Sequence, residues 1–153
     1  MTDAERHPLV EAYLSRLYSA AVYRRMTVEP RPWYSDVDVE LLCIELPTVG
    51  LPRGFSFSGM KAGTDVPRFQ YDLGLRDGKR YRPVAYRVPF LEDAHFGDES
   101  YTVSHLCHNP ACYNPAHHVF ETLEVNKGRN GCPGGPHCHH RVTCLRPGMY
   151  HSS

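Results

Sequence analysis

The chain carries no net charge, with 17 Lys and Arg balancing 17 Asp and Glu over 153 residues. That excludes a uniformly polycationic binder and confines any anion-binding surface to local patches. No apolar run approaches the ~20 residues that cross a bilayer. The start, Met1-Thr-Asp-Ala-Glu-Arg-His-Pro8, has neither the basic leader nor the apolar stretch of a secretory signal. Both absences set the expectation of an intracellular, reducing home with no membrane partner; the compartment expected, without any targeting signal to mark it, is the nucleus. Cysteines in such a setting bind metal more often than they form disulfides. At 41% hydrophobic and 22% charged residues the composition is that of a folded domain rather than a disordered tail. The length suits one domain.

The charge that is present is segregated. Residues 68–87 carry Arg68, Arg76, Lys79, Arg80, Arg82 and Arg87 against Asp72 and Asp77 only. Residues 126–153 carry Lys127, Arg129, Arg141 and Arg146 with no acid, whereas residues 88–125 hold six acids and no Lys or Arg. Two basic blocks give a chain of zero net charge a means of gripping phosphate locally.

Periodicity organises the rest. Thr2-x-x-Glu5 is a capping-box pattern, Pro8 suits a first turn, and Val10, Tyr13, Leu14, Leu17, Ala21 and Val22 form a helical stripe. Pro30 and Pro32 end that helical brace, residues 1–32. Residues 36–46 alternate at period two, as a half-buried strand does. A β-rich part, residues 33–100, includes a strand at 68–72, a turn at Arg76-Asp-Gly-Lys79 and a returning strand at 81–88, which together make a ribbon that fits a DNA major groove. A short strand, residues 101–106, leads into a Cys/His-rich loop. The pattern then predicts a helix from about Pro115 to Asn126 and little regular structure at the C-terminal end. The fold class expected is α+β, a small mixed domain with antiparallel ribbons.

Five of the six cysteines crowd into residues 107–144, interleaved with histidines. Zinc takes four tetrahedral ligands from thiolate and imidazole, and Cys₃His is a common structural set. Cys132-x₅-Cys138-x-His140-x₃-Cys144 is a complete set, although His137 and His139 compete with His140. Cys107-x₄-Cys112-x₄-His117 lacks a fourth ligand, and Cys43 is the only cysteine left to supply it; here His118 competes with His117. Three disulfides would explain the cysteines but not the interleaved histidines. Both zinc sites are closed, which makes them scaffold. The chemistry falls to other residues: His105 on the short strand, able as a neutral imidazole to deprotonate water, and Asn126 at the end of the helix, whose amide oxygen suits a hard Mg²⁺.

Ser104-His-Leu-Cys-His-Asn-Pro-Ala-Cys-Tyr-Asn-Pro-Ala-His117, then Asn126-Lys-Gly-Arg-Asn-Gly-Cys-Pro133, then Cys138-x-His-x₃-Cys-Leu-Arg146 together resemble the His-Cys box homing endonucleases. These are intron-encoded members of the ββα-metal (His-Me finger) nucleases. The likeness is dense over residues 104–147 and thinner upstream, at Leu42-Cys-Ile-Glu-Leu-Pro47 and Pro67-Arg-Phe-Gln-Tyr71. It implies a single zinc-stabilised endonuclease domain, residues 1–153, with the ββα-metal motif in 101–147. It makes His105 the general base, Asn126 the ligand of one catalytic Mg²⁺ per protomer, and Arg68 a contact to the scissile phosphate. It assigns two structural zincs per protomer, one to Cys43, Cys107, Cys112 and His117, the other to Cys132, Cys138, His140 and Cys144.

Gln70 falls on a base-reading position and Leu123 on an apolar wedge in the minor groove. Asp72 and Gly74 stand where the best-known member of that family has longer or cationic base readers, which implies a different target. With Arg76, Lys79, Arg80, Arg82, Lys127 and Arg129 these complete the expected DNA-facing set. The partner implied is double-stranded DNA with a long, near-palindromic site, cut by a homodimer to 5′-phosphate and 3′-hydroxyl ends during intron homing. The competing expectation is a zinc-stabilised DNA-binding protein without cleavage.

Overall fold

The structure is a computed structural model that describes residues 2–24, 42–130, 132, 139–142 and 144. Pro30, Pro32, most of the strand expected over 36–46, and Cys138 lie outside those residues. The described parts of Met1–Val22 and Glu45–Phe96 form one compact unit, and those of Tyr23–Ile44 and Gly97–Ser153 another. The class is α+β, and the described residues form a few helices and four short two-stranded sheets.

In the first unit the capping box closes at helix α1 (Asp3–Ala20), where the Thr2 N–H donates to the Glu5 carboxylate at 2.9 Å. Pro8 lies inside the helix rather than in its first turn. It forfeits one backbone bond, a loss the packing of the buried stripe Val10, Tyr13 and Leu17 offsets. Val22, counted as the last member of that stripe, instead opens strand β1 (Val22–Arg24), which pairs with β2 (Cys43–Glu45).

Strand β3 (Phe55–Met60) runs antiparallel to β4 (Pro67–Tyr71) with an irregularity between Phe57 and Gly59. Tyr13, Phe55 and Tyr71 pack ring on ring with centroids 4.9–5.2 Å apart. The polar tip of the buried Tyr71 is satisfied because Arg16 donates to its hydroxyl at 2.6 Å. The expected turn is a tight hairpin between β5 (Leu75–Arg76) and β6 (Lys79–Arg80). Asp77 and Gly78, both at positive φ (51° and 78°), give it the primed geometry that matches strand twist.

The returning strand expected over 81–88 is not continuous. It keeps one bridge, Gln70 to Val84, and the Tyr71 N–H to Pro83 carbonyl bond, then coils into a 3₁₀ turn at Ala85–Phe90. Pro83 and Pro89 have no N–H to give a ladder, which explains the early end.

The second unit carries β7 (Tyr101–His105) paired with β8 (His118–Thr122), followed directly by helix α2 (Leu123–Gly128), a β–β–α arrangement. The helix expected from Pro115 is therefore corrected. Pro115–His117 is a 3₁₀ turn capped by the Asn114 side chain, and the next five residues are strand. His118-Val-Phe-Glu-Thr122 is β-branched and aromatic, and it buries His118 and Phe120 on alternate positions. Strand packing outweighs helical spacing there. Thr122 then caps α2 by accepting from the Val125 N–H at 3.3 Å.

Gly54 tests the first unit's core. At φ +93° an added Cβ would sit 2.7 Å from Tyr71 Cε1, so Gly54→Ala should cost about 1–3 kcal/mol, read as a lower denaturation midpoint in urea.

Candidate active site and metal centres

Asn109, Asn114 and Pro115 shape the loop between β7 and β8. The Asn109 side chain accepts from the Ala111 N–H at 3.0 Å and the Asn114 side chain from the Ala116 N–H at 3.0 Å, the local bonds that favour Asn in turns. Asn114 also donates to the Leu42 carbonyl at 2.8 Å, and the Tyr113 N–H to the Ile44 carbonyl at 2.8 Å. Those two bonds hold the segment around Cys43 against the loop.

The outcome is a buried group of Cys43, Cys107, Cys112 and His117 whose ligand atoms all lie within 4.8 Å of one another. His117 Nδ1 is 3.8 Å from Cys43 Sγ and 3.5 Å from Cys112 Sγ. Tetrahedral zinc with Zn–S of about 2.3 Å and Zn–N of about 2.05 Å requires a sulfur-to-nitrogen separation of about 3.6 Å, so the donor set fits the ion in kind and in spacing. The competition between His117 and His118 is decided by direction: His118 turns its Nε2 to the Cys112 carbonyl at 2.9 Å.

Among the packed thiols the hydrogen bond from Cys107, followed by that from Cys112, holds Cys43 well below the usual thiol range, while burial pushes Cys107 up. Thiol packing of this kind favours one anion, and it takes a cation to hold three. None of the cysteines among the described residues is in a disulfide.

A second group brings together Cys132, His140 and Cys144, with Cys132 Sγ and His140 Nδ1 3.5 Å apart. It fits zinc by the same spacing. His139 is exposed, while His137 and the fourth expected ligand, Cys138, lie outside the described residues. Beside it stands Arg129, buried to 2% exposure. Burial opposes its charge, but the Glu121 carboxylate and the Cys144 sulfur outweigh burial and hold it more firmly charged than a free guanidinium. Its Nε and Nη2 donate to the two Glu121 oxygens at 2.5 and 2.7 Å; its Nη1 donates to the Val142 carbonyl at 2.7 Å and to Cys144 Sγ at 3.2 Å.

Arg129 belongs to the DNA-facing set expected from the sequence, and here the expectation fails. The structure turns it inward, because a guanidinium fork matched to a carboxylate is the cheapest way to bury both charges.

His105 closes β7 opposite His118 on β8. Their rings meet edge to face with centroids 4.5 Å apart. His118 lies far below the ordinary imidazole range, first through burial and then through His105 facing it. Asn126, on α2, donates from Nδ2 to Ser104 Oγ at 2.8 Å. The base candidate and the metal-ligand candidate are thus tied to adjacent residues of one strand.

Ser104 and Glu121 carried no sequence signal of their own. They are diagonal neighbours across the β7–β8 pair, joined at 2.5 Å from Ser104 Oγ to Glu121 Oε2. Only the register puts them together.

The DNA-facing set divides. Arg68, Lys79, Arg80, Arg82 and Lys127 are exposed, as is Leu123 at 42% on the first turn of α2. Gln70 and Arg76 are half-buried. Asp72 is engaged by Arg80 at 3.0 Å and Arg82 at 3.8 Å and accepts from the Gly74 N–H at 2.7 Å, so it braces the base of the hairpin.

The zinc-binding loop region of homing endonuclease is the family whose model matches this chain, over residues 70–152. That span takes in the β5–β6 hairpin, β7, β8, α2 and the second Cys/His group.

The metal assignment predicts that Cys43→Ser lowers bound zinc by one ion per chain, measured by elemental analysis of purified protein. Strong chelation should unfold the second unit, and acidification should release zinc, because each thiolate ligand must be reprotonated.

Proposed function

The chain belongs to the His-Me (His-Cys box) homing endonucleases that carry this zinc-binding loop, and from that premise we propose that it is a Mg²⁺-dependent, site-specific double-strand DNA endonuclease. The observation that supports the reading is the tie between Asn126 and Ser104, which holds a hard oxygen ligand on α2 against the strand that ends in His105. Asn126 fits a Mg²⁺: its amide is held at the nitrogen end, and its carbonyl oxygen is the kind of ligand such a cation takes alongside water and phosphate. When bound there, Mg²⁺ supplies charge stabilisation at the phosphate and the leaving 3′ oxygen.

The chain's own residues do the rest. His105, as neutral imidazole, takes a proton from the attacking water, the new P–O bond forms, and the P–O3′ bond breaks. The 3′ oxygen is protonated by solvent, which leaves 5′-phosphate and 3′-hydroxyl ends. Arg68 is assigned to the scissile phosphate, Gln70 to base reading, and Leu123 to the minor groove. Arg76, Lys79, Arg80, Arg82 and Lys127 are assigned to phosphate contacts that make affinity salt-dependent. The two zinc centres are structural. The working form proposed is a homodimer on a long, near-palindromic site in a compartment that keeps thiols reduced, the nucleus for intron homing. No described helix is long and apolar enough to cross a membrane.

Supercoiled plasmid incubated with the zinc-loaded protein tests this. Nicking and linearisation should require Mg²⁺, stop with EDTA, and fall about 10²–10⁴-fold in His105→Ala with DNA affinity retained. Intact plasmid under Mg²⁺, on DNA the protein demonstrably binds, would leave a zinc-stabilised DNA-binding protein without cleavage. Nicking that survives His105→Ala would remove His105 as the base.

A further inference from the structure

We infer that Arg129, Glu121 and Ser104 form a directional hydrogen-bond relay that sets which end of the Asn126 amide faces the catalytic cation. The inference rests on the nuclease reading of Asn126 and extends it to three positioning residues. Arg129 can only donate, and it spends Nε and Nη2 on the two oxygens of Glu121. The ion-paired carboxylate can only accept, so the Ser104 hydroxyl hydrogen must point at Glu121 Oε2, a contact of 2.5 Å typical of a charge-assisted O–H···O⁻ bond. With its one hydrogen committed, Ser104 Oγ has only lone pairs to offer Asn126. The amide must therefore present Nδ2, which it does at 2.8 Å. The carbonyl oxygen is left as the outward branch of the amide. A flipped Asn126 would set Oδ1 against those lone pairs, or force Ser104 to abandon Glu121.

The relay begins in the second metal centre, where Arg129 Nη1 donates to Cys144 Sγ and to the Val142 carbonyl. Glu121 is on β8, Ser104 on β7, Asn126 on α2 and Arg129 at that helix's C-terminal cap. All three elements of the β–β–α arrangement take part. The second zinc centre thereby influences a site that it does not touch: by seating Arg129 it orders the donors as far as the cation ligand.

The test compares Ser104→Ala with Ser104→Thr, which keeps the hydroxyl. It reads Mn²⁺ binding to the zinc-loaded, DNA-bound protein by electron paramagnetic resonance, together with zinc content and DNA affinity without divalent metal. Ser104→Ala should weaken Mn²⁺ binding about 10–100-fold, the range for residues that orient a metal ligand, with zinc content and DNA affinity unchanged. Ser104→Thr should recover most of the loss. Wild-type Mn²⁺ affinity in Ser104→Ala, with Asn126→Ala strongly impaired, would overturn the relay and spare the metal-ligand reading. No loss in Asn126→Ala would overturn both.

A measurement on the unsubstituted protein covers the case in which Ser104→Ala fails to fold. In nuclear magnetic resonance spectra without Mg²⁺, one Asn126 side-chain amide hydrogen should exchange slowly with water. Two fast, equivalent hydrogens would refute the relay.

Discussion

The second unit depends on the closure of residue 43 onto residues 107–117 through three thiols and one imidazole. Among its described residues the buried apolar side chains include Ile44, Val103, Leu106, Tyr113 and Phe120. A structural zinc contributes an apparent ~10–16 kcal/mol in small zinc peptides near pH 7. That rivals the whole net stability of an ordinary domain, about 5–15 kcal/mol. A metal term of that size at this donor set would rival packing, and it would act across a sequence separation of 74 residues. The bonds from Tyr113 and Asn114 to the backbone on either side of Cys43 keep that geometry from resting on the ion alone.

The buried ion pair is the second constraint. Arg129 and Glu121 have side-chain exposures of 3% and 12%. Removing either partner from such a pair typically costs about 3–5 kcal/mol, far more than a surface pair gives. Such a pair is a poor source of net stability but a good source of direction, because a fork on a carboxylate admits few alternative geometries. Its use here is consistent with orientation: it joins a metal-site sulfur on one side to a hydroxyl on the other.

The first unit solves a different problem. Its core is aromatic, with Tyr13, Phe55 and Tyr71 closing on one another beneath helix α1. Such a core supports an exposed hairpin whose Asp77-Gly78 turn holds Arg76, Lys79 and Arg80 close together. Like charges on a short ribbon repel, and Asp72 relieves that by engaging Arg80 and Arg82. The acid reads as a charge-balancing brace for a cationic ribbon.

Local rules alone determined much of this protein. The capping box at Thr2 and Glu5, the stripe on α1, the Asp-Gly turn, the strand before the Cys/His loop and the local Cys/His spacings within 107–117 and 132–144 follow from short-range rules, where chain stiffness and ligand chemistry leave little choice, whereas Cys43 reaches the first group only through the fold. Tertiary structure decided the rest. Over His118–Thr122 the same residues suit a helix or a strand in isolation, and pairing with Tyr101–His105 selects the strand. Arg129 lies in a basic segment and looks solvent-bound until the fold supplies Glu121. Ser104 and Glu121, 17 residues apart, meet only through strand register. The orientation of the Asn126 amide depends on donors from three elements, and no local pattern encodes a hydrogen-bond direction set by partners so far apart in the chain.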